Sequence, residues 1–163
     1  MIVGYLMDEM TFDAFYRASK DDCFRALVVA IGDRAEAEDL TAEAFARALE
    51  RWPQVRSHPR PEAWLMTVAM NLHRDRWRRA RRSVGSLLRR NVDPPPLPID
   101  ARLLAAIRGL ADQQRRVLAL RVVLDLDTVR TAEVLGIAPG TVTAHLHRAL
   151  SVLRDVLTKE ELS

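Results

Sequence analysis

Apolar residues along this chain recur at three- and four-residue intervals, the spacing that gives a helix one buried stripe. Phe12, Phe15, Leu27, Val28 and Ile31 fit such a stripe, with Thr11 as its N-cap and Gly32 near its end. Asp33 restarts a helix expected to run to Trp52, where Pro53 ends it. Gln54 to Arg60, flanked by Pro53, Pro59 and Pro61, reads as a stiff loop. Pro61 and Glu62 then suit the first turn of a third helix. On that helix Trp64, Leu65, Val68, Ala69 and Leu72 form an apolar face, and Arg74, Arg76, Arg78, Arg79, Arg81 and Arg82 follow without a break. A helix packed at one end and cationic at the other holds a polyanion at a fixed place, which a flexible basic tail cannot do.

Residues 83–99 change in character. Gly85, Arg89 and Arg90 precede a proline run from Pro94 to Pro98 that favours extended polyproline backbone. Helical periodicity resumes at Asp100, with Leu103, Leu104 and Ile107 in one short helix and Val117, Leu118, Leu120 and Val123 in the next. Thr128 to Leu150 has the spacing of a helix-turn-helix: small Ala132 at the helix contact, Gly136 at the turn, Pro139 in the second helix's first turn. Val142, Leu146, Ala149 and Leu153 pack that second helix, leaving Thr141, Thr143, Ala144, His145, His147 and Arg148 on its outer side. Thr141 and Arg148 suit phosphate contact, while Thr143, Ala144 and His147 suit base edges in a major groove. The pattern predicts an all-α protein: two small helical domains, 10–82 and 100–158, joined by a Pro-rich linker, 83–99, the second domain carrying the helix-turn-helix.

The helix from Asp33 carries an opposite signal. Glu36, Asp39, Glu43 and Glu50 fall within an arc of roughly 60°, apart from Ala37, Leu40, Ala44, Phe45 and Ala48, which face a core. An acidic stripe repels nucleic acid and suits a protein partner with a basic surface. The net charge is only +3, so the clustered arginines and segregated acids make two surfaces of opposite sign rather than one basic protein. Aromatic residues are only 6% and glycines number six, a profile that favours packed helices over a β-sandwich.

Several function classes drop out. Cys23 is the single cysteine, so no intramolecular disulfide can form, and a reducing, cytoplasmic setting is expected. No apolar run approaches the roughly 20 residues needed to span a bilayer, and the first residues lack the basic start of a signal peptide. Direct membrane insertion is not expected. The histidines His58, His73, His145 and His147 are scattered, and His145 and His147 lie on different helix faces, which gives no metal site. With no Gly-rich phosphate loop and no nucleophile beside a base, neither catalytic residues nor a cofactor are expected, and the chain does not read as an enzyme.

In this order, the motifs resemble the extracytoplasmic-function (ECF) sigma factors of bacterial RNA polymerase. Ala37-Glu-Asp-Leu-Thr-Ala-Glu-Ala-Phe45 resembles the family's clamp-binding helix, and Ala63 to Asp75 resembles the helix that meets the −10 promoter element. Gln114 to Arg121, followed by Ala132 to Ile137, resembles the domain that reads the −35 element. The resemblance implies that Glu36, Asp39, Glu43 and Phe45 dock on core polymerase. It also implies that Asn71, Arg74, Arg78 and Arg79 meet −10 DNA, and that Gln54, Arg56 and His58 belong to a loop that captures a flipped base. Thr141, Thr143, Ala144, His145, His147 and Arg148 would read the −35 duplex. Core RNA polymerase, promoter DNA and an anti-sigma factor are the implied partners. Departures from the pattern are Met70 in place of a basic residue, Ala111 in place of a frequent proline, and Thr143 and His145 in place of two cations. The run Thr141 to Leu146 is also similar to the recognition helices of response regulators. A stand-alone helix-turn-helix regulator is therefore the alternative, although the first half lacks the alternating βα pattern such proteins carry.

Overall fold

The computed structural model describes residues 10–82 and 100–161; the expected linker, 83–99, lies outside them. All regular structure among the described residues is helical. Helix α1 spans Phe12–Ile31, α2 Arg34–Glu50, α3 Trp52–Arg56, α4 Pro61–Arg82, α5 Ala101–Arg108, α6 Asp112–Leu118, α7 Thr128–Leu135 and α8 Pro139–Glu161, with a π-helical turn at Ala119–Val123.

The helix ends follow from local chemistry. Thr11 Oγ1 accepts from the Ala14 amide at 3.2 Å, and Gly32, at φ 79°, closes α1 by donating its N–H to the Val28 carbonyl. Asp33 caps α2 by accepting from the Glu36 amide at 3.1 Å, and Asp127 caps α7 by accepting from the Arg130 amide at 2.7 Å. Gly136, at φ 65°, ends α7 as the turn requires. One expectation fails: Pro53 does not end the acidic helix. Arg51, at φ −115° and ψ 28°, breaks it, and Pro53 then sits in the first turn of α3, where a missing N–H leaves no bond unmade. The stretch read as a loop therefore begins with helical Gln54 to Arg56, and Val55 is fully buried.

A π-helical turn follows α6 directly. The Leu124 amide donates to Ala119 O at 3.2 Å, and Arg121 Nη1 donates to Leu126 O at 2.7 Å across the bend. Asp125 is the only non-glycine residue with positive φ, at 53°, among the described residues. π turns and strained residues concentrate where a chain must be redirected, and here the chain is aimed into the helix-turn-helix.

Each half has its own packing, and the two halves also pack on each other. In the first, Phe15, Leu27, Leu40, Phe45, Leu65 and Met66 are buried, and Phe12, Tyr16 and Trp52 close around Phe45 and Phe15 with ring centroids 5.0–6.4 Å apart. In the second, Val117, Ala132 and Val142 form a small cluster with Leu135, Ile137 and Leu146. The larger core runs through both, because α1 lies along α6 and the π turn while α4 lies on α7. Leu118, Ala119 and Leu120 share one buried cluster with Leu27, Val28 and Leu65. Polar contacts also bridge the halves: Arg60 Nη2 donates to Leu124 O at 3.3 Å, and Arg115 Nε to Ala30 O at 3.5 Å. Cys23 lies in this interior with no exposed surface. Burial, with lesser help from the carboxylates of Glu62 and Asp22, pushes its thiol up to about 12.

Candidate nucleic-acid and polymerase interfaces

The three surfaces implied by sequence are built on three helices held by this core. Helix α2 turns Asp39 and Glu50 to solvent, yet the other two acids of its stripe, Glu36 and Glu43, are engaged from α4. Glu36 Oε1 lies 2.7 Å from His73 Nδ1, both side chains less than one-fifth exposed. Glu43 accepts from Arg76 Nη2 at 2.6 Å and from Arg47 Nη2 at 3.3 Å. The basic rod is therefore not wholly directed at a ligand, because Arg76 turns toward the acidic helix. Sequence reading missed these pairings, which join two helices. Glu36 and Glu43 lie seven apart and His73 and Arg76 three apart, each pair on one helix face. Phe45, implied as a docking residue, is only 3% exposed and edge-on to Tyr16 at 5.0 Å. Its apolar ring is part of the core that holds α2 and offers a partner no contact in this conformation.

On α4, Asn71, Arg74, Arg78 and Arg79 are exposed. Arg74 Nη2 donates to Asn71 Oδ1 at 3.2 Å, which orients the amide and the guanidinium together. Trp77, which sequence reading passed over, is 46% exposed, and the Arg81 guanidinium lies 3.9 Å from its ring centroid. A flat aromatic face beside arginines on a helix is a stacking surface. The signal was there: a tryptophan three residues beyond Arg74 in an otherwise charged run. Asn71, Arg74 and Trp77 form one wall of a cleft of about 300 Å³, whose other wall comes from Asp112, Gln113, Arg116, Val134 and Leu135. Of the three residues that the resemblance links to base capture, Gln54 and Arg56 are exposed, while His58 is half-buried and accepts from the Arg60 amide at 3.0 Å through Nδ1.

The outer face of α8 is open. Thr141, Thr143, Ala144, His147 and Arg148 are exposed, and Thr143 Oγ1 donates back to Pro139 O at 3.3 Å. Val142, Ala149 and Leu153 are buried beneath them, as the spacing predicts. His145 departs from that reading. It is half-buried, and its Nδ1 is shut from solvent without a hydrogen-bond partner, because its place on α8 turns it toward the helix contact.

The sigma-70 region 2 family model matches residues 15–83, and the sigma-70 region 4 model matches residues 100–153. The chain belongs to the ECF sigma factors. Among its relatives, the RNA polymerase sigma-E factor of Streptomyces coelicolor is 30% identical over 162 residues, covering 94% of this chain and 89% of that one. The ECF RNA polymerase sigma factor SigL of Mycobacterium tuberculosis is 36% identical over 141 residues, covering 80% and 78%. The sigma factor RpoE of Bartonella quintana, solved in complex with the anti-sigma factor NepR, shares the fold with a TM-score of 0.78 at 20% identity, covering 90% of this chain and 96% of that one. The region 2 match assigns the first half to the sigma-factor architecture, so the stand-alone regulator is not favoured. No helix of this sigma factor, among the described residues, is long and apolar enough to cross a membrane.

Proposed function

We propose that this sigma factor acts in the cytoplasm as a dissociable, non-enzymatic specificity subunit, carrying core RNA polymerase to promoters through three separate faces. The observation that carries the reading is the distribution of exposed side chains over one shared core. Asp39 and Glu50 are exposed on α2, Asn71, Arg74, Arg78 and Arg79 on α4, and Thr141, Thr143, Ala144, His147 and Arg148 on α8. In this reading Asp39, Glu43 and Glu36 make the polymerase surface, with Glu43 and Glu36 held in place by Arg76 and His73. Phe45 contributes by fixing α2. Asn71, Arg74, Arg78, Arg79 and the stacking surface of Trp77 meet the −10 strand, and Gln54, Arg56 and His58 border the path of a captured base. On α8, Thr141 and Arg148 take phosphates while Thr143, Ala144 and His147 meet base edges. An anti-sigma factor that covers these faces is the expected inhibitor, and residues 10–82 and 100–158 act as the two promoter-reading units.

In vitro transcription from a fragmented genomic library, with and without the protein, tests this reading and maps the promoters. New start sites sharing two spaced upstream motifs are expected. On such a promoter Arg78→Ala should lower open-complex formation about tenfold, the cost of one well-placed DNA contact, while co-elution with core polymerase persists. Asp39→Arg should do the reverse and abolish co-elution with the fold intact. No new starts, together with tight duplex binding by the free protein, would overturn the reading.

A further inference from the structure

We propose that α8 reads the −35 duplex through the 5-methyl groups of thymine, with Thr143 and Ala144 supplying the apolar contacts. The inference rests on the assignment of α8 to the −35 element and names the base feature that this helix selects.

α8 lacks the side chains that usually read bases by hydrogen bonds. Guanine is ordinarily met by the donors of Arg or Lys, adenine by the amide of Asn or Gln, and the cytosine amine by Asp or Glu. From Pro139 to His147 the helix carries none of these residue types. Arg148 is the first of them, and it is placed at a phosphate. His145 is withdrawn as well, being half-buried with its Nδ1 shut from solvent. The exposed face keeps Thr141, Thr143, Ala144 and His147.

The conformation of Thr143 decides which of its two groups is offered. Its Oγ1 donates to the Pro139 carbonyl at 3.3 Å, one turn back along α8. That bond occupies the hydroxyl proton and holds the rotamer, which leaves the γ-methyl as the unspent contact of an exposed side chain. Ala144 beside it adds a second methyl and no polar atom. Val142, just before them, has no exposed surface and fixes this turn on the core. Thymine is the one base whose major-groove edge carries a methyl group, and Ala and the Thr methyl are its apolar partners. Both residues lie in the first turns of the recognition helix, the part of a helix-turn-helix that meets base edges. Their short side chains also let the helix come close, as a methyl contact requires.

Promoters mapped for the holoenzyme provide the test, with deoxyuridine replacing each −35 thymine in turn. Uracil pairs as thymine does and lacks only the 5-methyl group. Wild-type holoenzyme should form closed complexes about fourfold more weakly for each contacted methyl removed, the worth of one buried methyl-sized group. Thr143→Ser removes the protein's methyl and should equalise thymine and uracil at one position. Thr143→Val keeps the methyl, loses the hydroxyl and should keep the preference for thymine, whatever it does to overall affinity. Ala144→Gly should erase the preference at a neighbouring position. Equal affinity of the wild type for thymine and uracil elements overturns the proposal. So does a −35 element with no thymine on either strand, or a preference lost in Thr143→Val. An equal loss from uracil placed only in the spacer between the elements also overturns it, because duplex stiffness would then be the cause. If Arg148→Ala leaves complex formation unchanged, the assignment of α8 to the −35 duplex has itself failed. If it weakens binding to every element alike, as loss of a phosphate contact does, the methyl readout alone is refuted.

Discussion

The two halves of this sigma factor, proposed to meet the −10 and −35 elements, use their exposed helices in opposite ways. α4 is core at its start and cationic at its end, so one rigid rod transmits the position of Leu65 and Leu72 to Arg74 and Arg78. α8 instead divides lengthwise, with Val142, Ala149 and Leu153 buried and Thr141, Thr143 and Arg148 outside. The first arrangement suits a charge-dominated hold on a strand; the second suits short side chains in a groove. The difference teaches that placement of the buried residues, more than net charge, decides what each helix can read.

Cavities should separate the halves most sharply. Leu120→Ala empties a fully buried position in the core shared by both halves and should cost about 2–5 kcal/mol, lowering the denaturant midpoint of the whole chain. Val142→Ala empties the small cluster under the recognition helix alone and should cost about 2 kcal/mol. Hydrogen exchange should then show α8 loosened and α4 protected. Equal loosening of both by Val142→Ala would make the two clusters one cooperative unit.

Alkaline pH sharpens the comparison from the other half. Burial holds the Cys23 thiol protonated in the folded state up to about 12, against 9.0 for an ordinary thiol. The unfolded chain releases this proton first, so the contribution is complete below pH 9 and fades as pH rises from 9 toward 12. Within that window stability should fall by about 1.4 kcal/mol per pH unit, and Cys23→Ala should flatten the slope. The smallest effect belongs to the second half. Ala111 occupies the N-cap of α6 with extended backbone but no side-chain acceptor, and only Gln114 Oε1 reaches back to its amide, at 3.4 Å. Ala111→Ser should raise stability by about 1 kcal/mol, read as a higher midpoint with the slope unchanged.

Much of this was legible in the sequence for plain reasons. Thr11, Gly32, Asp33 and Gly136 act where local chemistry suffices, and they cap or end helices as expected. The apolar spacing around Leu65 and Val142 likewise marked the buried faces. Pro53 misled because proline ends one helix and begins another with equal ease, and the choice lay in the backbone of Arg51. The partners of Glu36 and Glu43 were hidden because they come from α4, more than 30 residues away, and only tertiary packing brings them together. The half-burial of His145 escaped for a narrower reason: at the edge of a helix face, a few degrees decide between solvent and neighbour.

Trp77 also gives this molecule an optical voice. Of its three tryptophans, Trp52 is packed edge-on to Phe12 at 5.7 Å and Trp64 is half-covered, whereas Trp77 stands in the cleft beside a guanidinium. Its emission colour and its quenching by iodide should therefore change when a nucleic-acid strand arrives at this face. With Trp52 and Trp64 as a steady background, promoter engagement can be timed on unlabelled protein in a stopped-flow fluorimeter.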